Sequence, residues 1–310
     1  MSSPQRGVAL VLVLWVLVLL SVIAAAMSMT QRSGVAMVSN LRQEREARAL
    51  LDAGLHFMML QLENRNRPVE ENPWPVDGRL HPWGFGGATL WVGAETENAR
   101  IDLNQADEQL LARLLQQLGL EEETAWQVRD AILDWRDGDD VHRANGAEKD
   151  DYRRAGRPLG PRNGPFLTLE ELRQVMGVTP ELYSKLVPLL TVDARQRTVN
   201  PAFASRTVLS AIPGMTPDLV EQYLLDRQIA LEQGQTPPLP PAGGNYFGRR
   251  GANASIYRVF AEVDTPSGMK LRAEAVVNTR SRTPRGYRIL RREYGKGGER
   301  SRVQPQEENG

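Results

Sequence analysis

The 310-residue chain contains no cysteine. That absence excludes thiol catalysis, disulfides and cysteine-ligated zinc, and says nothing about compartment. Histidine is almost as scarce: His56, His81 and His142 are all there is. None has a patterned serine, aspartate or glutamate companion, and His142 lacks the second histidine a zinc site would want beside carboxylates. No nucleophile elbow, phosphate loop or dinucleotide fingerprint occurs either, so no catalysis is expected. Net charge is missing too, with 38 basic against 38 acidic residues, which removes any bulk argument for nucleic acid or an acidic substrate. The balance is local instead. Asp134 to Asp151 holds seven carboxylates against three basic side chains, and Arg280 to Arg302 nine basic residues against two acidic. Arginines alternating along a solvated strand account for the second run, and no function is assigned to it.

What is plentiful is apolar sequence at the amino end. Val8 to Met27 reads VALVLVLWVLVLLSVIAAAM, with Ser21 its only polar member. As a helix this run spans about 30 Å, the thickness of a bilayer's hydrocarbon core. Three readings fit. A cleaved signal peptide would end near Ala24, Ala25 and Ala26; a plain anchor would simply stay. The third is a stalk, because no breaker follows. Helix formers continue through Leu62, and Ala47, Leu51, Leu55, Met58 and Leu62 form a stripe at spacings of three and four. A helix from Val8 to Leu62 would be about 80 Å long.

Gln5-Arg6-Gly7, then Val8, then an unbroken apolar helix with an amphipathic extension resemble the class III leader of type IV pilins and pseudopilins. The resemblance implies that a prepilin peptidase cuts after Gly7 and methylates Val8. At the fifth mature position, where pilins usually carry a glutamate, this chain has Leu12. A carboxylate there would be costly in lipid and marks function. Its absence resembles the K-type minor pseudopilin of the type II secretion system (the general secretion pathway protein K family), placed at the pilus tip where no neighbour stands above.

The remainder alternates in period. Asn64 to Gly87 is rich in proline, tryptophan and glycine and reads as a loop; Ala88 to Gly93 and Ala99 to Leu103 read as short strands. Asp107 to Trp135 has helical spacing, Thr168 to Val192 reads as another helical pair, and Gln233 to Arg250, with four prolines from Pro237 to Pro241, reads as a linker or long loop. Beyond it Tyr257, Val259, Ala261 and Val263, then Leu271, Ala273, Ala275 and Val277, alternate with charged residues around Thr265-Pro266-Ser267-Gly268, a hairpin with one wet face. Tyr287 to Tyr294 adds a third strand. The expected fold is therefore α+β: a pilin-like long N-terminal helix, transmembrane in its first half, packed on an antiparallel sheet with a large inserted all-helical domain. With the family resemblance, its parts are leader 1–7, transmembrane segment 8–29, periplasmic stalk 30–66, first part of the sheet 67–103, helical domain 104–232, linker 233–250, second part of the sheet 251–294 and disordered tail 295–310.

Within the helical block three segments resemble one another, from Leu114, Leu172 and Leu209. Each reads as helix, tight glycine turn and second helix, the latter two capped by Thr179 or Thr216 with Pro180 or Pro217 in the first helical position. This resembles the helix-hairpin-helix of DNA-binding proteins, and a membrane-anchored DNA receptor is the rival reading. Phosphate contact needs nearby lysine or arginine, yet the turns are followed by Glu121-Glu122-Glu123, Glu181, and Asp218 with Glu221. Acidic residues there favour the helix start instead, so the hairpins read as packing units and no nucleic acid is expected.

The best candidate site is the acidic loop, Asp134-Trp135-Arg136-Asp137-Gly138-Asp139-Asp140 followed by Gly146-Ala147-Glu148-Lys149-Asp150-Asp151-Tyr152. Its carboxylates and turning glycines suit a hard cation that takes about six to eight oxygens, calcium rather than magnesium, although the spacing is not that of an EF-hand. A solvated acidic loop is the plain alternative. The D-W-x-D-x-D and G-A-E-x-D-x-Y elements resemble the K-type pseudopilin's helical domain, which binds calcium. That resemblance implies Asp134, Asp137, Asp139, Glu148, Asp150 and Asp151 as ligands, with Asp140 an extra candidate. It also implies partners: the I- and J-type minor pseudopilins and other pseudopilus subunits, the prepilin peptidase, and the inner membrane, with the head in the periplasm.

Overall fold

The structure, a computed structural model, describes residues 6–64, 74–233, 235–248, 255–265, 268, 270–280, 286–296, 302 and 303, with side chains in the first helix described at 11–24 and from 37 onward. In chain order its elements are α1 (Arg6–Glu63), β1 (His81–Phe85), β2 (Ala88–Thr96), β3 (Ile101–Asp102), α2 (Glu108–Gln117), α3 (Glu122–Arg136), α4 (Lys149–Arg154), α5 (Pro180–Leu186) and β4 (Leu190–Thr191). Then come α6 (Arg206–Ala211), α7 (Pro217–Glu232), β5 (Ile256–Asp264), β6 (Lys270–Asn278) and β7 (Arg288–Lys296).

The first helix is 58 residues long and has two chemically different parts. Ala47, Leu51, Leu55, Met58 and Leu62, the stripe read from the sequence, are buried and share a core with Leu90, Val92, Val259, Ala261, Ala273 and Ala275 of the sheet. Gly54 lets the helix come close: a Cβ there would stand 2.8 Å from that of Ala261 and 3.0 Å from Val92 Cγ1. The apolar side chains from Val11 to Ile23 are, by contrast, 46–71% exposed. The described stretch Val11 to Ala24 measures about 20 Å against the ~30 Å of a bilayer core. Among the described residues no helix is long and apolar enough to cross a membrane. The ends of the expected span, Val8 to Leu10 and Ala25 to Met27, lie outside the described side chains.

Five antiparallel strands form the main sheet in the order β1-β2-β5-β6-β7. Its centre is the expected hairpin, with Val259 opposite Ala275 and Val263 opposite Leu271. Gly268, with φ 79, closes the turn by donating its N–H to the Thr265 carbonyl at 2.8 Å. Because β2 and β5 are neighbours in the sheet but far apart in sequence, everything between them is an insertion into one sheet.

Several expectations are corrected. The stretch read as a loop contains β1; proline and glycine hid it, and Pro82 is tolerated because β1 is an edge strand. Ile101 and Asp102 do form a strand, but it pairs in parallel with β4 and belongs to the inserted unit. The span Thr168–Val192 contains one α-helix, α5, preceded by a 3-10 turn over Leu169–Gln174 and ending in β4. The proline-rich stretch docks: Tyr246 donates its hydroxyl to Asp107 Oδ2 at 2.8 Å and Phe247 is buried in the helical core. Gly295 and Lys296 still belong to β7, and Arg302 bridges Leu80, so the tail is held at those points.

Sheet and inserted unit are joined by a buried ionic network. Glu97, on a 3-10 turn after β2, has a fully buried side chain. It accepts from Arg258 of β5 (Nη2 to Oε1, 2.6 Å) and from the Thr191 hydroxyl of β4 at 2.6 Å. Arg258 Nη1 also donates to Glu274 of β6 at 2.6 Å. Burial alone would raise the Glu97 pKa; the Arg258 guanidinium outweighs it and holds the carboxyl down to about 2. On β7, Arg291 reaches Asp193 of the inserted unit at 3.0 Å, while Arg292 reaches Asp52 of the stalk at 3.3 Å. Part of the basic run near the carboxy terminus is thus spent inside the molecule.

Candidate functional site

The acidic loop leaves α3 at Asp137 and re-enters helix at Lys149. Aromatic rings anchor both ends: Trp135, on the last turn of α3, lies 5.9 Å from the ring of Tyr152 in α4 and 6.1 Å from that of Phe166. Trp135 Nε1 donates to Glu171 at 3.4 Å, and the Tyr152 hydroxyl accepts the Met176 N–H at 2.8 Å. These contacts fix where the carboxylates beside each ring must point.

Asp134 is completely buried. Its Oδ1 accepts from Arg143 Nη1 at 2.6 Å, and its Oδ2 from the backbone N–H of Arg143 at 3.2 Å and of Ala147 at 3.0 Å. Burial pushes its carboxyl above the ordinary aspartate range despite those donors. Gly146 makes this possible, since any Cβ there would overlap Asp134 Oδ2. Asp137 Oδ2 meets the same Arg143 Nη1 at 2.5 Å, leaving Oδ1 buried and unpartnered. Glu148 is 5% exposed, and neither of its oxygens has a hydrogen-bond partner. Its pKa is pushed up to about 7, first by burial and then by the negative charges of Asp134, Asp137 and Asp140.

The other expected ligands are spent differently. Asp139 Oδ1 accepts the Val141 N–H at 3.0 Å and Asp140 Oδ1 accepts from Asn163 Nδ2 at 2.9 Å. Asp150 is exposed and pairs with Arg153 at 2.7 Å. Asp151 caps α4, its Oδ2 accepting the Glu148 N–H at 2.9 Å while Oδ1 pairs with Arg154. The fold therefore gathers Asp134, Asp137, Glu148 and, at longer range, Asp140. Among the described residues no group of three or more acidic or histidine side chains stands in metal-holding geometry, and Arg143 occupies the space between Asp134 and Asp137. In donor chemistry and burial the set fits a hard cation: orphaned carboxylate oxygens in a buried site are what such an ion satisfies.

Two contributors escaped the sequence reading. Asp130, one turn before Asp134 on the buried face of α3, holds the far side of the loop through Asn145 Nδ2 at 3.1 Å; its i, i+4 spacing from Asp134 was a usable signal. Arg143 gave none, since an arginine in an acidic run reads as solvated.

The hairpin caps are as read: Thr179 and Thr216 accept the N–H groups of Leu182 and Leu219, each with proline starting the helix. Gly119, Gly177 and Gly214 turn with φ of 91, 80 and 87, conformations that glycine adopts without penalty. Basic groups near the turns serve the fold: Arg113 donates to the Ser210 and Met215 carbonyls, and Arg206 pairs with Glu221. At the other end of the molecule Gly7 and Val8 lie in the first turn of α1, with their side chains outside the described residues.

Residues 92–195, from within β2 through the acidic loop to just past β4, match the family described as Type II secretion system (T2SS), protein K. The chain is 33% identical over 223 residues to the type II secretion system protein K of Pectobacterium carotovorum subsp. carotovorum, covering 64% of this chain and 67% of that one. With the protein K of Dickeya chrysanthemi it shares 28% identity over 297 residues, 78% of this chain and 80% of the relative. Its fold is that of a chain in the crystal structure of the GspK-GspI-GspJ complex from the enterotoxigenic Escherichia coli type 2 secretion system, at TM-score 0.58 and 18% identity, covering 86% of this chain and 99% of that one. By this relationship the chain belongs to the type II secretion system protein K family and is a minor pseudopilin.

Proposed function

We propose that the chain caps the tip of the secretion pseudopilus and helps initiate its assembly for export of folded proteins across the outer membrane. The observation that carries this reading is the division of α1. Its second part is buried against the sheet, while the apolar side chains from Val11 to Ile23 are exposed. A surface of that kind belongs in lipid or among other apolar helices. Its one polar member, Ser21, spends its hydroxyl on the Leu17 carbonyl at 2.8 Å, so the run brings no unpaired side chain into the bilayer. In this reading prepilin peptidase cuts after Gly7 and methylates Val8, and residues 8–29 hold the chain in the inner membrane with the head in the periplasm. The stalk then packs among other pseudopilin stalks.

Leu12 in place of an acidic residue, and an inserted helical unit too bulky for a subunit to sit above, favour the end position. The complex in which the solved GspK was found supports I- and J-type minor pseudopilins as partners. The acidic loop takes calcium, with Asp134, Asp137, Asp139, Glu148, Asp150 and Asp151 as the candidate ligands and a structural role for the ion: bound, it neutralises the gathered carboxylates and stabilises the folded head by mass action. The protein's role is structural rather than catalytic. Cells whose only copy lacks the apolar run Val8–Met27 but exports an intact head through an ordinary signal peptide are expected to lose secretion of the system's cargo. Normal cargo in the medium of those cells would refute the proposal.

A further inference from the structure

Arg143 sits between two buried or half-buried carboxylates of the acidic loop. Its Nη1 lies 2.6 Å from Asp134 Oδ1 and 2.5 Å from Asp137 Oδ2, and its Nε lies 3.8 Å from Glu108 Oε1. The pairing is incomplete in a specific way. A planar monocation reaches two of the gathered carboxylates and leaves Glu148, nineteen-twentieths buried, with both oxygens unpartnered, along with Asp137 Oδ1. The guanidinium itself is one-third exposed and rides on the loop between Gly138 and Gly146, so it can leave into water without breaking the core. A divalent ion that drew on Asp134 and Asp137 would need the oxygens Arg143 now holds, and the two cations would repel.

We infer that Arg143 is a tethered counter-cation: it fills the acidic site of the metal-free protein and must be displaced when calcium binds, thereby setting the calcium concentration at which the ion is taken up. The inference rests on the calcium reading above. Competition by an occupant of the site lowers apparent affinity by the fraction of time the site is free. A purely structural arginine predicts the opposite sign, because removing it would disorder the ligands.

Calcium binding to the full chain in detergent, measured by titration calorimetry for wild type, Arg143→Gln and Arg143→Lys, tests this. Arg143→Gln is expected to bind calcium about tenfold more tightly than wild type, while Arg143→Lys, which keeps the charge, stays near wild type. Equal or weaker binding by Arg143→Gln, with wild type binding normally, overturns the inference and leaves the calcium reading standing. Absence of binding heat in both wild type and Arg143→Gln overturns the calcium reading itself. Should Arg143→Gln fail to fold, wild type gives the answer. Modification of Arg143 by p-hydroxyphenylglyoxal, followed by peptide mass spectrometry, is expected to be faster in calcium than in chelator, and an equal or slower rate overturns the inference.

Discussion

Replacing Arg258 with alanine is expected to cost about 3–5 kcal/mol of stability, because it takes from the buried Glu97 carboxylate the guanidinium that lies against it, while Glu274 keeps its pairing with Arg272. The side chain is 13% exposed and holds Glu97, which is fully buried, and Glu274 at the same time. For a head of this size the loss corresponds to a fall of roughly 10 °C in melting temperature, readable by near-ultraviolet circular dichroism. The cost arises from the stranded Glu97 carboxylate rather than from the lost ion pair alone. Glu97→Gln added to Arg258→Met should therefore recover a substantial part of it. The same network fixes a pH dependence. Glu97 is held at about 2 in the folded protein against an ordinary 4.5. Its contribution is thus complete above pH 4.5 and is lost as the pH falls towards 2. An Arg258→Ala protein that melts within a degree of wild type would show that the junction is not held by these charges.

Glu148 has the opposite sign. Its folded pKa of about 7 lies above the ordinary 4.5, so between those values the native state keeps a proton that the unfolded chain has released. Without metal, stability must then fall as the pH rises from 4.5 to 7 and level off above, a loss of up to about 3 kcal/mol at 1.4 kcal/mol per pKa unit. If calcium binds as proposed, it is expected to reverse the order, because the ionised form of Glu148 would be the ligand. In chelator the melting temperature is expected to be higher at pH 5 than at pH 8; with calcium the rise is large at pH 8 and small at pH 5. Glu148→Gln should flatten the pH profile, melt higher than wild type in chelator at pH 8, and lose most of the calcium response. A metal-free protein that gains stability between pH 5 and pH 7 would contradict the environment assigned to Glu148.

The parts of this molecule that were legible in the sequence are those governed by local periodicity. The stalk stripe from Ala47 to Leu62 repeats at helical spacing and is buried as that spacing requires. The β5–β6 hairpin alternates with period two, and Thr179-Pro180 and Thr216-Pro217 cap helices by a mechanism confined to four residues. What failed was non-local. β1 became a strand because β2 offers it a ladder, against its own proline and glycine. The two residues of β3 found their partner in β4, some ninety positions away, instead of in the main sheet.

In the acidic loop the sequence showed a run of carboxylates but not their division of labour. Glu148 and Asp150 stand two positions apart; the entry into α4 turns the first inward beside Asp134 and the second into solvent beside Arg153. Arg143 is similar: its charge in the sequence says nothing of where it points, and only the closed loop shows it between Asp134 and Asp137.

The central claim is that the apolar helix stays in the finished protein and carries it into the pilus. The amino terminus of the chain purified from secreting cells, read by mass spectrometry, tests this most directly. A first residue of Val8 bearing a methyl group is expected; a chain that begins at or near Met27, with the apolar run gone, would overturn the pilin reading.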